Sequence, residues 1–324
     1  MHPRDNSNSE PARSLALAYR RHERHLWGLC YRMTGTAADA DDVVQDTFAR
    51  AMERPPPRTD VDWRPWLVRV AINLCRDRLR QRKRRAYSGP WLPGLIETGE
   101  PDALLSGVAD RSAAALVTGQ TASTRYELLE SVSLAFLLAL EALTPTQRAV
   151  LILRDALDYS GRETARALAL SESNVKTTLH RARKAMNGYE RLPRPDPAKI
   201  GQRTEQILTR FMAALNSQDA DTIEGMLRDD VRALSDGGGV YNAAARPIFG
   251  RDRVVRLYLK LAKKLGVPER WEIQPINGRP ALLTWITPPS PRIARFSVTA
   301  IDVDNAGLIA EIYAIMAPDK LTAL

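Results

Sequence analysis

The chain has 324 residues and a formal net charge of +9, from 47 Lys and Arg residues against 38 Asp and Glu residues. The length allows two or three domains with cores of their own, and the positive charge favours an anionic partner, either nucleic acid or an anionic membrane surface. The first residues lack the apolar core of a signal peptide, and the most apolar run, 132–143, contains Glu141 and is too short to span a bilayer, so we expect a cytoplasmic protein without a membrane partner. Cys30 and Cys75 cannot supply four zinc ligands and fall on apolar helix faces, so they are expected in the core, and no metal or cofactor is predicted.

The first helical pattern ends at Gly35, and a second helix follows at once. Asp39 and neighbouring carboxylates crowd its start, where the helix dipole favours negative charge. Its apolar stripe leaves Asp42, Gln45 and Asp46 exposed. On a basic protein this acidic surface is either an ordinary solvated face or a docking surface for another protein, and the residues alone leave both open.

A third helix begins near Pro65 and ends in a run of cations. Its faces away from the apolar side carry Arg69, Asn73, Arg76, Asp77 and Arg80. Trp63 and Trp66 stand at its entrance, and Trp63 is the one predicted to be exposed. Aromatic rings beside arginines suit single-stranded DNA, because bases stack on rings while cations follow the phosphates. The alternative is that the two tryptophans belong to the core.

Residues 87–126 are rich in Gly, Pro, Ser, Thr and Ala and show no sustained helical period, which predicts a linker. Trp91 and Leu92 are unexpected in a solvated tether. An exposed Trp-Leu-Pro sequence normally has a surface to lie on.

Three helix starts follow one another between residues 143 and 186. Thr144, followed by Pro145 and by Gln147 at the third position, predicts a capping box, and Ser160 with Glu163 predicts a second. Ser171 precedes a third, positively charged helix. The short corner before that helix is typical of a helix-turn-helix.

The last of these helices has one apolar face and one cationic face. Val175, Leu179, Ala182 and Met186 fall at helical spacing and are predicted to face inward. The outward residues are then Lys176, Thr177, His180, Arg181, Arg183 and Lys184. Such a face suits the major groove of DNA, although an ordinary three-helix unit can also present a basic solvated face.

After a Pro-rich bridge at 189–201, helical patterns are followed by alternating strand patterns. The predicted helices span 205–215, 221–227 and 250–265, and the predicted strands span 271–275, 281–286, 295–303 and 307–316. Helices followed by a run of antiparallel strands predict an α+β cone.

Two of these segments resemble a known family. Residues 39–48 with 64–78 resemble region 2, and residues 143–186 resemble region 4, of the extracytoplasmic-function (group IV) RNA polymerase sigma factors. The resemblance implies that Asp39, Asp42, Gln45 and Asp46 bind the beta-prime clamp of RNA polymerase core. It also implies that 63–85 engages promoter DNA near minus 10, through Trp63 and the five polar residues of the third helix. The helix after Ser171 would bind the element near minus 35, through Lys176, Thr177, His180, Arg181 and Arg183.

The C-terminal part resembles the SnoaL-like, NTF2-like fold, and three short signatures resemble a sigma-factor subgroup that carries this extension. They are Trp91-Leu92-Pro93, Asp236-Gly237-Gly238-Gly239 and Pro318-Asp319-Lys320-Leu321. In that subgroup the extension is thought to regulate the sigma regions in cis through contacts that include the linker. The resemblance therefore implies that these residues form a regulatory contact and that no dedicated anti-sigma factor is needed.

The resulting expectation is a multidomain chain of two all-α sigma domains followed by an α+β cone. The predicted ranges are sigma region 2 at 14–86, a linker at 87–126, sigma region 4 at 127–188, a Pro-rich linker at 189–201 and the SnoaL-like domain at 202–324. One alternative is a helix-turn-helix regulator that works without polymerase core. Another is a fused isomerase-like enzyme or a small-molecule ligand pocket. The candidate carboxylates are Asp236, Glu272, Asp302 and Glu311, but no His accompanies them, so no catalytic residue is assigned.

Overall fold

The computed structural model describes residues 9–56, 62–84, 87, 89–98, 131–186 and 197–324. These residues form two compact units. Of the described residues, the first unit holds 9–84, 131–132 and 139–186, and the second holds 87–98, 133–138 and 197–324. Residues 99–126 of the predicted linker and 189–196 of the predicted Pro-rich bridge lie outside the described residues, as do 127–130 and 187–188 at the two ends of the predicted sigma region 4.

The first unit begins with three helices: α1 (Ser9–Thr34), α2 (Ala37–Glu53) and α3 (Arg64–Arg84). Gly35 ends α1 with a φ of 83°, a left-handed conformation that glycine adopts without strain. Thr36 then caps α2, because its hydroxyl accepts a hydrogen bond from the Asp39 backbone N–H. Cys30 and Cys75 lie in the core of this bundle as free thiols.

A chain of short helices follows; the first of them belongs to the second unit up to residue 138, and the others complete the first unit. They are α4 (Leu134–Ala139), a 3-10 turn (Leu140–Ala142), α5 (Pro145–Leu151), a π-helical turn (Ile152–Ala156), α6 (Gly161–Leu168) and α7 (Glu172–Ala185). Both predicted capping boxes are present, at Thr144 and Ser160, and Ser171 caps α7. Ala169 turns the chain between α6 and α7 with a φ of 54°. The predicted helix-turn-helix is therefore confirmed.

The second unit contains three helices and six strands. The helices are α8 (Pro197–Asn216), α9 (Ala220–Met226) and α10 (Arg251–Leu265). The strands are β1 (Leu227–Asp236), β2 (Ile248–Phe249), β3 (Arg270–Ile276), β4 (Arg279–Trp285), β5 (Phe296–Val303) and β6 (Ile309–Ile315), followed by a 3-10 turn (Pro318–Lys320). The four predicted strands are present, but the sequence patterns missed β1 and β2.

The six strands form one mixed sheet in the order β2-β1-β6-β5-β4-β3. Four of the five strand pairings are antiparallel, including the three among β3–β6 that the sequence predicts. The fifth pairing is parallel: β1 lies beside β6, with Arg232 opposite Glu311 and Asp236 opposite Ile315. The predicted run of antiparallel strands is therefore confirmed, and the parallel pairing involves β1, which the sequence patterns missed. A parallel neighbour needs a long crossover, which here includes α10 and the four strands β2 to β5.

Different segments of the chain pack on the two faces of this sheet. Helices α8, α9 and α10 pack on one face, where Phe211, Val254 and Ile312 belong to one apolar cluster. On the other face, Leu92 and Leu95 pack on the sheet in a second cluster.

Within the described residues, no helix is both long and apolar enough to cross a bilayer. The same residues contain no group of three or more His, Cys, Asp or Glu side chains that could hold a metal ion.

Candidate functional site

Helix α7 presents the predicted cationic face to solvent. Val175 and Ala182 are buried at 2% and 0% exposure, which fixes the rotation of the helix. Consequently Lys176, Thr177, His180, Arg181, Arg183 and Lys184 all lie on the exposed side. The predicted orientation is confirmed, and the helix offers cations and hydrogen-bonding groups of the kind that contact phosphates and base edges.

Arg183 is an outward residue that forms an ion pair within the first unit. Its Nε and Nη2 donate to the two carboxylate oxygens of Asp155 at 2.9 Å and 2.7 Å. This fork geometry holds the guanidinium against the π-helical turn. Contact of Arg183 with DNA would require this pair to break.

The polar face of α3 has the predicted composition, but the tryptophans at the N-terminal end of the helix differ from the prediction in their exposure. Trp63 is only 5% exposed, so the expectation that it is the exposed tryptophan is wrong, and Trp66 is the half-exposed one. The ring of Trp63 packs into the core at the start of the helix. It cannot stack on a base in this arrangement.

Farther along α3, the polar side chains are exposed except for Arg76. Arg69, Asn73 and Arg80 are exposed, and Arg80 pairs with Asp77 at 3.0 Å. Arg76 is half-buried, and its Nε has no hydrogen-bond partner among the described residues.

Helices α3 and α6 pack against each other within the first unit. Between them lies a cavity lined by Trp66 and Arg69 from α3 and by Arg162 and Arg166 from α6. We call this packing the closed arrangement. In it, Arg69 of the predicted minus-10 surface lines a cavity that it shares with the helix-turn-helix.

A partly buried ionic network joins α3 to the 3-10 turn and to α5. Glu141 accepts hydrogen bonds from Arg82 at 2.6 Å and from Arg148 at 2.7 Å. Arg148 also donates to the backbone carbonyl of Met33 at 2.8 Å. Burial by itself would raise the pKa of the Glu141 carboxyl, but the two guanidinium groups lower it below its ordinary value.

A second polar contact of the closed arrangement is centred on Tyr159. Its hydroxyl lies 2.7 Å from Nε2 of His25, and it accepts a hydrogen bond from Nε of Arg64 at 2.9 Å. The Arg64 guanidinium also lies over the Tyr159 ring, 4.8 Å from its centroid. The sequence patterns did not single out these three residues, because each comes from a different helical segment.

The acidic surface of α2 is held by a single arginine. Arg78 of α3 lies 3.0 Å from Asp39, 3.0 Å from Asp42 and 3.5 Å from Asp46. Gln45 is exposed beside them. Because the three carboxylates outnumber the one guanidinium, the surface remains acidic and its side chains are positioned in advance.

In the second unit, all three signature segments meet at the carboxylate of Asp236. Tyr87 donates from its hydroxyl at 2.5 Å, Leu92 from its backbone N–H at 2.8 Å and Gly238 from its backbone N–H at 2.9 Å. Lys320 forms an ion pair with the same carboxylate, and both side chains are fully buried.

The ammonium group of Lys320 also contacts two aromatic rings of the linker. Its Nζ lies 4.6 Å from the ring centroid of Tyr87 and 4.5 Å from that of Trp91. Cation–π attraction is strong where water is excluded. Tyr87 was not predicted as a regulatory residue, and the preceding Arg-rich run gave no signal that could have identified it.

The glycines of the second signature let the chain turn at this point. A side chain at Gly237 would place its Cβ 2.2 Å from the Tyr241 carbonyl oxygen, and Gly238 has a φ of 62°. Gly239 completes the turn. The third signature forms the 3-10 turn, in which Pro318 and Asp319 are exposed, Leu321 is half-buried and only Lys320 points into the contact.

Both ends of the connection between the two predicted sigma regions pack on the second unit. Leu92 and Leu95 at one end, and Leu134 and Leu138 at the other, belong to one apolar cluster on the outer face of the sheet. The segment 91–98 also pairs with the chain at the sheet edge: the Leu95 N–H donates to the Lys320 carbonyl at 2.8 Å. Pro93 is buried with its neighbours.

The candidate catalytic carboxylates are all engaged in structural contacts. Asp302 accepts from Arg279 at 3.0 Å and from the Tyr313 hydroxyl at 2.8 Å, and Glu311 accepts from the same hydroxyl at 2.5 Å. Arg232 pairs with Glu311. On the edge strand, a similar contact joins Arg270 to Glu272.

Comparison with known proteins identifies two regions in the first unit. Residues 18–85 match the model of Sigma-70 region 2, and residues 133–186 match the model of Sigma-70 region 4. Over the whole chain, the ECF RNA polymerase sigma factor SigJ of Mycobacterium tuberculosis is 32% identical across 310 residues, covering 92% of this chain and 90% of that protein. SigG of the same species is 37% identical over 238 residues, covering 68% of this chain and 61% of that protein.

A solved structure matches nearly the whole chain as well. The crystal structure of Mycobacterium tuberculosis SigJ matches this chain with a TM-score of 0.73 and 30% identity, covering 95% of this chain and 98% of that chain.

Proposed function

The chain belongs to the ECF RNA polymerase sigma factors, and we propose that its α+β unit holds the two sigma regions in an inactive arrangement through the linker that joins them. Its partners are RNA polymerase core and promoter DNA, as sigma regions 2 and 4 imply. The observation that carries the proposal is the contact at Asp236. Tyr87 and Leu92 of the linker and Lys320 of the third signature all bind this one buried carboxylate.

We propose the roles of the sigma-region side chains from their positions in sigma regions 2 and 4. For the beta-prime clamp of polymerase core we propose Asp39, Asp42, Gln45 and Asp46. For DNA near minus 10 we propose Trp63, Arg69, Asn73, Arg76, Asp77 and Arg80. For DNA near minus 35 we propose Lys176, Thr177, His180, Arg181 and Arg183. Two of these require a movement first: Trp63 must leave the core, and Arg183 must leave Asp155.

The closed arrangement is incompatible with both DNA contacts at once. Elements near minus 10 and minus 35 are 25 base pairs apart, or about 85 Å along B-form DNA at 3.4 Å per step. In the closed arrangement Trp66 and Arg69 line the same cavity as Arg162 and Arg166. The two regions must therefore separate before a promoter can be bound through both.

The linker contact opposes that separation. Leu92 and Leu95 follow α3 in sequence, and Leu134 and Leu138 lie at the start of the segment that leads to α5. Because all four pack on the same cluster of the sheet, the two ends of the connection stay close together. Releasing one end frees the intervening residues to extend at about 3.3–3.6 Å per residue.

We further propose that the second unit regulates and does not catalyse. Each of the four candidate carboxylates is paired with a cation or a hydroxyl, which leaves none poised as a general base. Binding of a small-molecule ligand by this unit stays a prediction. So does the expectation that no separate anti-sigma factor is required.

Run-off transcription with purified polymerase core tests the cis-inhibition proposal. Replacing Leu92 and Leu95 together by Ala removes apolar contacts that hold the linker, so transcription should rise several-fold over that of the unchanged chain. The matched control is Leu282→Ala, which truncates a buried leucine on the opposite, helix-covered face of the same sheet. That variant loses stability without touching the linker and should not raise transcription.

A chain ending near residue 200 gives a second comparison. It should transcribe more strongly than the full chain if the extension inhibits. If only the full chain transcribes, the extension is part of the active initiation machinery and the proposal of inhibition is wrong. Failure of every form to bind polymerase core would contradict the sigma-factor role itself.

A further inference from the structure

Helix α10 in the second unit carries a row of cations that no sigma-factor signature includes. The row, which we call the α10 stripe, consists of Arg253, Arg256, Lys260, Lys263 and Lys264, and all five side chains are exposed. At about 100° per residue these positions fall within an arc of about 100° on the helix surface. The stripe is about 16 Å long, since its ends are eleven residues apart at about 1.5 Å each.

The orientation of the stripe is fixed by the opposite side of the helix. Val254, Val255 and Tyr258 belong to the apolar cluster between the helices and the sheet. Val254 is completely buried, and Val255 is 8% exposed. The helix cannot rotate without exposing them, so the five cations stay turned toward solvent.

The five cations of the stripe form no ion pair with a carboxylate among the described residues. Neighbouring arginines, in contrast, do form such pairs. Among the described residues, no carboxylate oxygen lies within 4.0 Å of any of its five cationic groups. By contrast, Arg251 on the same helix lies 2.8 Å from Asp229, and Arg228 lies 2.8 Å from Asp230. Like charges spaced three or four residues apart destabilise a helix, so the stripe works against the stability of α10 unless an anion covers it.

We propose that the α10 stripe is a DNA-binding surface that contacts backbone phosphates of duplex DNA in the promoter complex. This proposal rests on the sigma-factor function proposed above, because that function brings the chain onto DNA. A row of about 16 Å matches about five base-pair steps of one strand, and lysines and arginines without fixed geometry bind phosphates as point charges. The stripe therefore adds affinity that does not depend on DNA sequence.

An anionic membrane is a poorer partner for the same row. A helix that lies in a bilayer interface must insert its apolar face among the lipids. The apolar face of α10 is already used inside the protein, where Val254 and Phe211 belong to one cluster. An acidic protein surface remains an outcome that the experiment can identify.

The test replaces Arg256, Lys260 and Lys263 by Gln in the full chain and measures promoter binding by its complex with polymerase core at several salt concentrations. Loss of three phosphate contacts should lower the slope of log K against log salt by about 2–3 and weaken binding at low salt by about 10-fold or more. A matched control changes three other exposed arginines of the same unit, Arg246, Arg292 and Arg295, to Gln. It has the same net charge and should keep the original slope.

Site-specific photocrosslinking at position 260 identifies the partner directly. A crosslink to promoter DNA supports the proposal, whereas a crosslink to a polymerase subunit, or an unchanged salt slope for the triple variant, overturns it. If the unchanged chain forms a promoter complex but the triple variant behaves like the control, only the role of the stripe fails. If neither the unchanged chain nor its variant with Leu92 and Leu95 replaced by Ala forms a promoter complex with polymerase core, the sigma-factor function fails and the stripe proposal with it.

Discussion

Asp236 and Lys320 form an ion pair in which neither side chain is accessible to solvent. A buried pair of this kind is stable only if further hydrogen bonds compensate for the loss of water. Here the carboxylate accepts three more, from Tyr87, Leu92 and Gly238, and the ammonium group faces the Trp91 ring. The charges therefore connect the linker to the sheet, and removing either charge should leave the other uncompensated.

Replacing Lys320 by Met tests this dependence. The variant keeps an apolar side chain of similar length but leaves the buried Asp236 carboxylate without its counter-charge, so the free energy of unfolding should fall by about 3–5 kcal/mol. Thermal or urea unfolding of the full chain measures the change. The double variant Asp236→Asn with Lys320→Met should lose less than Lys320→Met alone, because it buries no isolated charge. A double variant that is less stable than the single one would contradict this account of the contact.

Replacing Lys176 and Arg181 by Ala should reduce promoter binding while leaving the affinity for polymerase core unchanged. Each lost base contact costs about 1–3 kcal/mol in discrimination, which corresponds to a decrease of about 5-fold to 150-fold. Binding of the sigma–core complex to a promoter selected from a random library measures the first effect, and core binding in solution measures the second. Arg210→Ala, an exposed arginine of the second unit, is the control. Equal loss of core and promoter binding would show that the role of α7 is wrongly assigned.

Replacing Asp42 and Asp46 by Ala should have the opposite pattern. Their carboxylates are exposed at 60% and 53%, so the variant should fold normally and lose affinity for polymerase core. Glu53→Ala removes an exposed carboxylate at the far end of the same helix and should bind core normally. Core binding that survives the double substitution would indicate an ordinary solvated face.

The stability of the closed arrangement should depend on pH through His25. Burial, with Arg64 and Arg32 nearby, lowers the pKa of His25 to about 4 from the ordinary 6.5. Between these values the unfolded chain binds a proton that the folded chain does not, so the free energy of unfolding falls as the pH falls, by about 1.4 kcal/mol per pH unit. Above about pH 6.5 the contribution is fully present. Burial also lowers the pKa of His22, which acts in the same direction.

Unfolding temperatures at about pH 7.5 and about pH 5 measure this effect. His25→Gln keeps a polar side chain beside the Tyr159 hydroxyl but does not titrate, so its stability should change less between the two pH values. His180→Gln, on the exposed face of α7, should behave like the unchanged chain. An identical pH dependence in the unchanged chain and the His25 variant would exclude His25 as the source.

Features set by neighbouring residues were predictable from the sequence. The capping boxes at Thr144 and Ser160 depend on side chains three residues apart, and both form as predicted. The facing of α7 follows from the spacing of Val175 and Ala182. The prediction of two helical sigma domains followed by an α+β unit is confirmed.

Features set by distant residues were not predictable. Strand β1 is rich in charged residues and is stabilised by parallel pairing with β6, about eighty residues away, so its own sequence does not show a strand pattern. The burial of Trp63 and the role of Tyr87 also depend on long-range packing: Tyr87 meets Asp236 across 149 residues. The short signatures indicated which segments matter but not that they share one carboxylate.

Helices α3 and α6, which pack against each other, each carry a buried polar atom without a hydrogen-bond partner among the described residues. The Nε of Arg76 on α3 and the hydroxyl of Thr164 on α6 are buried, and neither has a hydrogen-bond partner in the described part of the chain. Each such group costs about 1–3 kcal/mol while it is buried, so a separation of α3 from α6 that lets water reach these two atoms narrows the free-energy gap between the closed and separated forms. A gap of a few kcal/mol leaves about 0.1–10% of molecules in the minor form. Polymerase core and promoter then need only capture molecules that have already separated, and the size of that minority sets how readily the chain initiates transcription.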